Sequence, residues 1–303
     1  MRSDATPGGG KDRPALGAQA MLLLGLLLFV GIVFAIDRIR GTTVVVGPVA
    51  ATALALVPAI LWLLYFRGRD LHEPEPTHYV VGVFLLGALI AAPMALFITD
   101  GLFKVPTWGV LPRWGLREAV AAFLVIAPAQ EVSKYLVVRF SVYLSDEFDE
   151  PMDGIIYMSA AGLGFATAWN VQQLTRAPQV ALTTAAINAV TTTLAHASLS
   201  GVVGYALGRA KFIRTPKRQT RVLTLGLALA MVLSGSFSMI ESIATRHGLD
   251  YRPAWGLASA ALFAALVFAF LHVLVDRHLA RSPFGPPDAG PPTTTAPTTG
   301  GAS

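Results

Sequence analysis

The stretch AVAAFLVIAPAQEVSKYLVV, from Ala119 to Val138, contains 20 residues and is apolar almost throughout. Its only charged side chains are those of Glu131 and Lys134. A helix of about 20 apolar residues spans the hydrocarbon core of a membrane, so the stretch predicts a transmembrane helix. Charged groups are costly inside a bilayer and usually face the protein interior or a water-filled cavity. The stretch therefore predicts both a membrane-spanning helix and a buried polar site.

Similar apolar stretches recur along the chain and indicate its fold class. There are eight such stretches in all, covering 173 residues, and together they hold only one further charge, that of Glu241. We therefore predict an all-α polytopic membrane protein with about eight transmembrane helices. The other seven stretches are Ala20–Ile36, Thr43–Phe66, Tyr79–Thr99, Ile155–Leu174, Ala181–Gly208, Val222–Ile243 and Trp255–Val275.

The distribution of these stretches divides the chain into three regions. We predict a cytoplasmic N-terminal tail at residues 1–19, an eight-span membrane domain at residues 20–275 and a C-terminal tail at residues 276–303. The C-terminal tail is rich in proline and threonine and has little apolar surface to bury, so we expect it to be disordered.

The composition excludes several classes of protein. Hydrophobic residues make up 54% of the chain, charged residues make up 14%, and the mean hydropathy is +0.59. These values exclude a soluble enzyme, a nucleic-acid-binding protein and a disordered chain. The net charge of +5 fits basic loops beside anionic lipid, so membrane lipid rather than nucleic acid is the predicted partner. The chain has no cysteine, which excludes disulfides, cysteine-ligated zinc and a cysteine nucleophile.

The loops between the stretches are unequally basic, and this predicts the orientation of the chain. The tails and loops on the side of the two termini carry 14 lysines and arginines, whereas the opposite loops carry 8. The positive-inside rule then places both termini in the cytoplasm. Most of the difference comes from six basic residues between Arg209 and Arg221. We expect an integral protein of the plasma membrane.

Polar residues in the fourth and sixth stretches could carry chemistry. Glu131 and Lys134 are three residues apart and share a helix face, and His196 lies in the sixth stretch. At 1.5 Å per residue, Glu131 and His196 lie about 18 Å and about 22 Å from the starts of their stretches, so they could meet at one level. Such a pair can activate water or bind a metal. The alternatives are a structural ion pair and a histidine that only links helices by hydrogen bonds.

Four short motifs follow one another between the second loop and the end of the sixth stretch. The first is HEPEP at residues 72–76, and the second is QEVSK at residues 130–134. The third is EPMDGIIYMSAAGLGFATAWN at residues 150–170. The fourth is His196 followed by a small-residue helix that ends in GYALG at residues 204–208. In this order the motifs resemble the PrsW family of intramembrane proteases, which belongs to the CAAX-endopeptidase-like membrane protease superfamily.

The resemblance implies a protease that hydrolyses peptide bonds of membrane-anchored proteins. The family's EExxK motif is matched at Glu131 and Lys134, but Gln130 replaces its first glutamate. In the family's EN pair Trp169 replaces the glutamate, and Ser234 replaces the histidine of a fourth motif. The site residues that the resemblance implies are Glu131, His196, Lys134, Gln130 and Asn170.

The resemblance leaves open whether the reaction uses a metal. A zinc site typically has three protein ligands and a water molecule, whereas Glu131 and His196 are the only matched ligands retained. Water activation by Glu131, with His196 polarising the carbonyl or donating to the leaving amine, needs no metal. Gln130 could donate a hydrogen bond to an oxyanion, and His272 could replace the missing histidine.

Two other functions remain open on the sequence. The substitutions at family positions are compatible with a proteolytically inactive relative that binds or regulates a membrane partner. Eight spans with buried charges are also compatible with a small-molecule transporter, although the chain has no matching pair of interrupted helices in two halves.

Overall fold

All the regular structure that the computed structural model describes is helical. It describes residues 13–41, 43–69, 75–105, 115–176, 179–244, 258, 261–263, 265–270 and 273. These residues form seven long helices and part of an eighth. In chain order the helices are α1 Arg13–Arg40, α2 Pro48–Arg69, α3 Thr77–Leu102, α4 Leu116–Ser141, α5 Pro151–Arg176, α6 Leu182–Lys211, α7 Pro216–Ala244 and the part of α8 within Ala261–Phe270.

Five of the described helices are long and apolar enough to cross a membrane: α1, α2, α3, α4 and α7. Large apolar side chains on their outer faces are exposed, for example Leu27 at 71% and Leu124 at 69%, as expected for contact with lipid. The prediction of an all-α polytopic membrane protein is confirmed. The predicted tail beyond residue 275 and the residue His272 lie outside the described residues, as does the side chain of Glu241.

The two remaining long helices, α5 and α6, form the centre of the bundle. Most of their side chains are buried by neighbouring helices, including polar ones such as Ser159, Asn170 and Thr193. Because protein rather than lipid surrounds α5 and α6, they can carry more polar residues than a lipid-facing span. Their position explains why these two helices are long but less apolar than the others.

Glycines allow α5 to approach its neighbours at backbone contact. A Cβ atom added at Gly164 would overlap the carbonyl oxygen of Phe84 in α3. One added at Gly162 would lie 2.5 Å from the carbonyl oxygen of His196 in α6. At the start of α5, Gly154 meets Gly204 in the same way, which agrees with the small-residue ridge that the sequence predicts on α6.

Wide π-helical turns interrupt α3 and α4. In α4 the π turn covers Ala122–Ile126 and is followed at once by Pro128. In α3 one π turn covers Gly87–Ala91 and precedes Pro93. Proline lacks a backbone N–H, and its ring clashes with the carbonyl four residues earlier, so a wider turn before the proline relieves the clash while the helix continues.

A polar cluster fastens the end of the bundle at which α5 begins. Tyr157 donates a hydrogen bond to Glu75, which precedes α3. The Nζ atom of Lys211 donates to three backbone carbonyls of the loop between α4 and α5: those of Tyr143 at 2.9 Å, Ser145 at 3.4 Å and Phe148. These bonds hold the loop and the start of α5 against the end of α6.

Asp153 belongs to the same cluster and lies in the first turn of α5, before the apolar stretch begins. Its Oδ2 accepts a hydrogen bond of 2.6 Å from the backbone N–H of Glu150. Burial raises the pKa of Asp153 to about 9, and the neighbouring Glu75 and Asp149 act in the same direction. The carboxyl group is therefore protonated at neutral pH in the folded protein.

The opposite end of the bundle is fastened by Asp37 of α1. Its carboxylate accepts hydrogen bonds from the backbone N–H groups of Leu182 and Thr183, at 3.1 Å and 3.3 Å, and from the Thr183 hydroxyl at 2.7 Å. The first N–H groups of a helix have no intrahelical partner, so a carboxylate at this position stabilises the start of α6. An isolated antiparallel bridge between Val44 and Val180 lies beside it.

We predict that Gly164→Ala destabilises the protein, because the added methyl group would overlap the Phe84 carbonyl oxygen. Overpacking of this kind costs about 1–3 kcal/mol. Thermal unfolding of the detergent-purified protein measures the effect. Gly82→Ala in α3 is the matched control, since a Cβ at Gly82 meets nothing within 4 Å. Equal melting temperatures for the two variants would contradict the predicted contact.

We also predict that the protein loses stability as the pH rises, through Asp153. In the folded state Asp153 keeps its proton up to about pH 9, whereas in the unfolded state it ionises near its ordinary pKa of 3.8. Its contribution is therefore fully present below the unfolded pKa and is lost as the pH rises toward the folded pKa. Melting temperatures measured between about pH 5 and about pH 9 should fall less steeply for Asp153→Asn, which mimics the protonated form.

Asp146→Asn, on the same loop but exposed, is the control and should keep the wild-type pH dependence. The same pH dependence in Asp153→Asn and the wild type would show that Asp153 does not carry it.

Candidate active site

Glu131 and Lys134 form a fully buried ion pair on α4. The Nζ atom of Lys134 donates to Oε1 of Glu131 at 2.8 Å, and both side chains have 0% exposure. The pair lies on the part of α4 that follows the π turn and Pro128. As the sequence predicts, the two side chains share one helix face and point into the protein rather than toward lipid.

The ring of Phe165, on α5, lies close both to Lys134 of this pair and to His196 on α6. The Nζ atom of Lys134 lies 5.2 Å from the centre of the Phe165 ring. The His196 ring centre lies 4.9 Å from the same point, with the two rings inclined at 55°. Side chains from three helices thus meet around one aromatic ring, at one level of the bundle.

One atom of Glu131 and one of His196 have no hydrogen-bond partner among the described residues. They are Oε2 of Glu131 and Nδ1 of His196, both buried. Buried polar atoms are nearly always hydrogen-bonded in proteins, so both atoms are available for a water molecule or a substrate. The carboxylate oxygen can accept a proton and the imidazole nitrogen can form a hydrogen bond. The arrangement therefore offers an acid–base pair to a water molecule or a substrate.

Asn170, which the resemblance implies as a site residue, is buried on α5 and makes its side-chain hydrogen bonds to α6. Its Oδ1 accepts a hydrogen bond of 2.6 Å from the Thr192 hydroxyl. Its Nδ2 donates to the carbonyl of Ala189 and to the hydroxyl of Thr193, each at 3.4 Å. All three partners lie on α6, within two turns of His196. Asn170 thus links α5 to α6 and holds the helix segment that carries the histidine.

Two substituted family positions contact each other. The Ser234 hydroxyl, on α7, donates to Oε1 of Gln130, on α4, at 3.4 Å, and both residues are buried. The third substituted position, Trp169, also lies near the site, because its ring stacks on Phe165 with centres 6.0 Å apart and planes inclined at 18°. All three substitutions therefore lie around the Glu131–His196 region. The sequence alone does not show this clustering.

Sequence reasoning missed the role of Phe165. The residue appears within the GLGFA run but has no reactive group, so nothing marks it as part of a site. The sign that could have found it is its place one residue after Gly164, where α5 must lie close to its neighbours. The structure shows its ring in contact with Lys134, His196 and Trp169.

Comparison with known families supplies the identification. Residues 75–275 match the family described as PrsW family intramembrane metalloprotease. This range begins at Glu75, just before α3, and includes the described part of α8. The chain belongs to the PrsW family. Of the helices described above, α1 and α2 lie before the matched range.

Several curated PrsW proteases are similar to this chain. Protease PrsW of Geobacillus kaustophilus is 33% identical over 193 residues, which are 64% of this chain and 80% of the relative. Protease PrsW of Bacillus subtilis is 31% identical over 191 residues, 63% of this chain and 82% of the relative. Protease PrsW of Oceanobacillus iheyensis is 31% identical over 186 residues, which are 61% of this chain and 80% of the relative. No solved structure matches the chain.

The family description implies a metal ion, but the described residues of this chain do not fit a zinc site. Zinc in proteins typically has three or more protein ligands. No group of three or more histidine, cysteine, aspartate or glutamate side chains suited to a metal occurs in the described part of the chain. Glu131 and His196 are two candidate ligands, and each has a buried atom without a hydrogen-bond partner. His272, the predicted replacement ligand, lies outside the described residues.

We predict that Asn170→Ala destabilises the protein without removing the ion pair. The variant loses three hydrogen bonds to α6, and interhelical hydrogen bonds in membrane proteins contribute about 0.6 kcal/mol each on average. Thermal unfolding in detergent measures the loss. Thr175→Val is the control, since this exposed threonine bonds only to carbonyls of its own helix. Wild-type stability in Asn170→Ala would show that the link between α5 and α6 does not depend on it.

Proposed function

We propose that the chain is an intramembrane protease that hydrolyses peptide bonds of membrane-anchored proteins. One observation carries the proposal: Glu131 and His196, on different helices, each present a buried unpaired atom. Lys134, the ion-pair partner of Glu131, and His196 both lie beside the ring of Phe165. Membership of a family of intramembrane proteases supports the reaction class. Residues 20–275 would form one membrane domain flanked by tails.

The chemistry follows from the two unpaired atoms. Oε2 of Glu131 takes a proton from a water molecule while the water oxygen attacks the carbonyl carbon of the peptide bond. His196 donates a hydrogen bond to the carbonyl oxygen as negative charge develops on it. The carbon–nitrogen bond then breaks, and the proton passes from Glu131 to the leaving nitrogen, which regenerates the carboxylate.

Lys134, Gln130 and Asn170 would support this reaction without themselves transferring a proton. The Lys134 ammonium, 2.8 Å from Oε1, stabilises the negative charge of Glu131 in an apolar interior and leaves Oε2 free to act. Gln130 precedes Glu131 on α4, and its amide oxygen accepts a hydrogen bond from the Ser234 hydroxyl. Because this bond orients the amide group, Gln130 would contact an oxyanion from that orientation. Asn170 keeps the segment of α6 that carries His196 against α5.

The orientation and location form a second part of the proposal. The excess of lysine and arginine on one side, 14 against 8, supports cytoplasmic termini. The similar proteins of Geobacillus kaustophilus and Bacillus subtilis are named Protease PrsW and come from bacteria, which supports a location in the plasma membrane. The substrate would then be another integral membrane protein with a single span beside this bundle.

We predict that Glu131→Gln and His196→Gln each reduce cleavage by about 10²–10⁴-fold, the usual contribution of an acid–base residue. The assay follows cleavage of a labelled single-span protein in proteoliposomes that contain the full chain. Glu118→Gln, near the start of the same helix, and His78→Gln, at an exposed position on α3, are matched controls. Both controls should cleave at the wild-type rate.

Thermal unfolding of each variant separates loss of chemistry from loss of fold. Full cleavage in Glu131→Gln or in His196→Gln would refute the assignment of that residue. Cleavage by the wild type and both variants alike would refute the proposed site as a whole.

A proteolytically inactive membrane-binding protein is the second candidate function. The neutral Gln130–Ser234 contact and the indole of Trp169 favour it, because both replace polar family groups beside the site. This function predicts capture of a membrane-protein partner that is unchanged in Glu131→Gln, with no product in the proteoliposome assay. Cleavage that depends on Glu131 excludes it.

A further inference from the structure

Three residues beside the proposed catalytic pair have neutral side chains that bind metal ions weakly or not at all. They are Gln130, Trp169 and Ser234, each of which is buried within the described bundle. We infer that the Glu131–His196 centre of this chain works without a resident metal ion, although the family is described as one of metalloproteases. This inference rests on the proposed function, but its main test measures metal binding and does not depend on cleavage.

The first reason is the charge of the site. Glu131 contributes one negative charge, Lys134 contributes one positive charge 2.8 Å away, and neither side chain is exposed. Gln130, the neighbouring position, is neutral. The buried pair is therefore electrically balanced before any ion enters. A divalent cation at Glu131 would lie close to the Lys134 ammonium and would leave excess positive charge in the membrane interior, which is strongly unfavourable.

The second reason is the number of free donor atoms. One oxygen of Glu131 already accepts from Lys134, so only Oε2 is available, and His196 offers Nδ1. Two protein ligands fall short of the three that zinc typically takes. Metal binding at this level of the bundle would need a further ligand from outside the described residues.

The third reason is that the substituted positions are already engaged with one another. The Oε1 atom of Gln130 accepts the hydrogen bond of Ser234, so the amide oxygen that could turn toward an ion is held by α7. The Trp169 ring stacks on Phe165, on the same ring that contacts His196. The substituted positions thus form a neutral hydrogen bond and an aromatic stack, and their groups bind a metal weakly or not at all.

Metal content of the purified full-length protein tests the inference. The protein in detergent is equilibrated with a fixed concentration of free zinc, separated from unbound zinc and measured by mass spectrometry. We expect far less than one zinc per chain in the wild type. We expect Gln130→Glu with Ser234→His to bind close to one zinc per chain, because it places two donor groups in the existing contact beside Glu131 and His196.

Further variants locate any zinc that the wild type binds. Stoichiometric zinc that is lost in Glu131→Gln or in His196→Gln would overturn the inference. Loss of the same zinc in His272→Ala would identify the ligand that completes the site. Zinc that persists in both Glu131→Gln and His196→Gln is bound elsewhere and supports the inference. The wild-type measurement decides the question even where the double variant does not fold.

Chelation gives an independent readout if the chain cleaves a substrate. We expect wild-type cleavage to continue in 1,10-phenanthroline, and loss of cleavage that added zinc restores would overturn the inference. Absence of cleavage under all conditions counts against the proposed protease function, whereas the metal content still tests whether the centre holds an ion. The two proposals therefore fail through different measurements.

Discussion

Backbone contact between α5 and its neighbours α3 and α6 determines where the side chains of the site lie. Apolar side chains gain little by leaving lipid for a protein interior, so helices in a membrane associate through close packing and interhelical hydrogen bonds. Gly162 and Gly164 supply that packing on two faces of one helix, and Asn170 adds hydrogen bonds on the α6 face. Phe165 lies inside this rigid contact and can therefore hold Lys134 and His196 at fixed positions.

The same packing explains how the membrane tolerates the polar residues. The five helices that are apolar by composition surround α5 and α6, which carry Asn170, Thr192 and His196. A buried charge needs a partner, and Glu131 and Lys134 provide one for each other one turn apart on α4. Hydrolysis still requires water at this level. The unpaired atoms of Glu131 and His196 are the groups toward which that water would be drawn.

The sequence predicts the helices well because the signal is local. Apolar stretches place α3, α4 and α7 to within six residues of their observed ends, and the spacing of Glu131 and Lys134 predicts their shared face. The contacts between helices are different, since they depend on which faces the glycines bring together. The bond between Gln130 and Ser234 joins residues 104 positions apart, and no periodicity in either segment reveals it. Asn170 was likewise predicted as a site residue from its motif, whereas its partners depend on the register of α5 and α6.

The π turn at Ala122–Ile126 has a consequence for how this part of the chain can change during evolution. A π turn holds one residue more than the α turn it replaces, and each residue of a helix corresponds to a rotation of about 100°. Because the wide turn absorbs this extra residue, deleting one residue there would restore an ordinary helical turn and leave the segment before it aligned with Glu131 and Lys134. Deleting a residue from the ordinary helical segment between the π turn and Glu131 would instead rotate Leu116–Ala121 by about 100° relative to the ion pair. A loss of one residue is therefore tolerated at the π turn, whereas the same loss elsewhere in the helix would alter the alignment between its two halves.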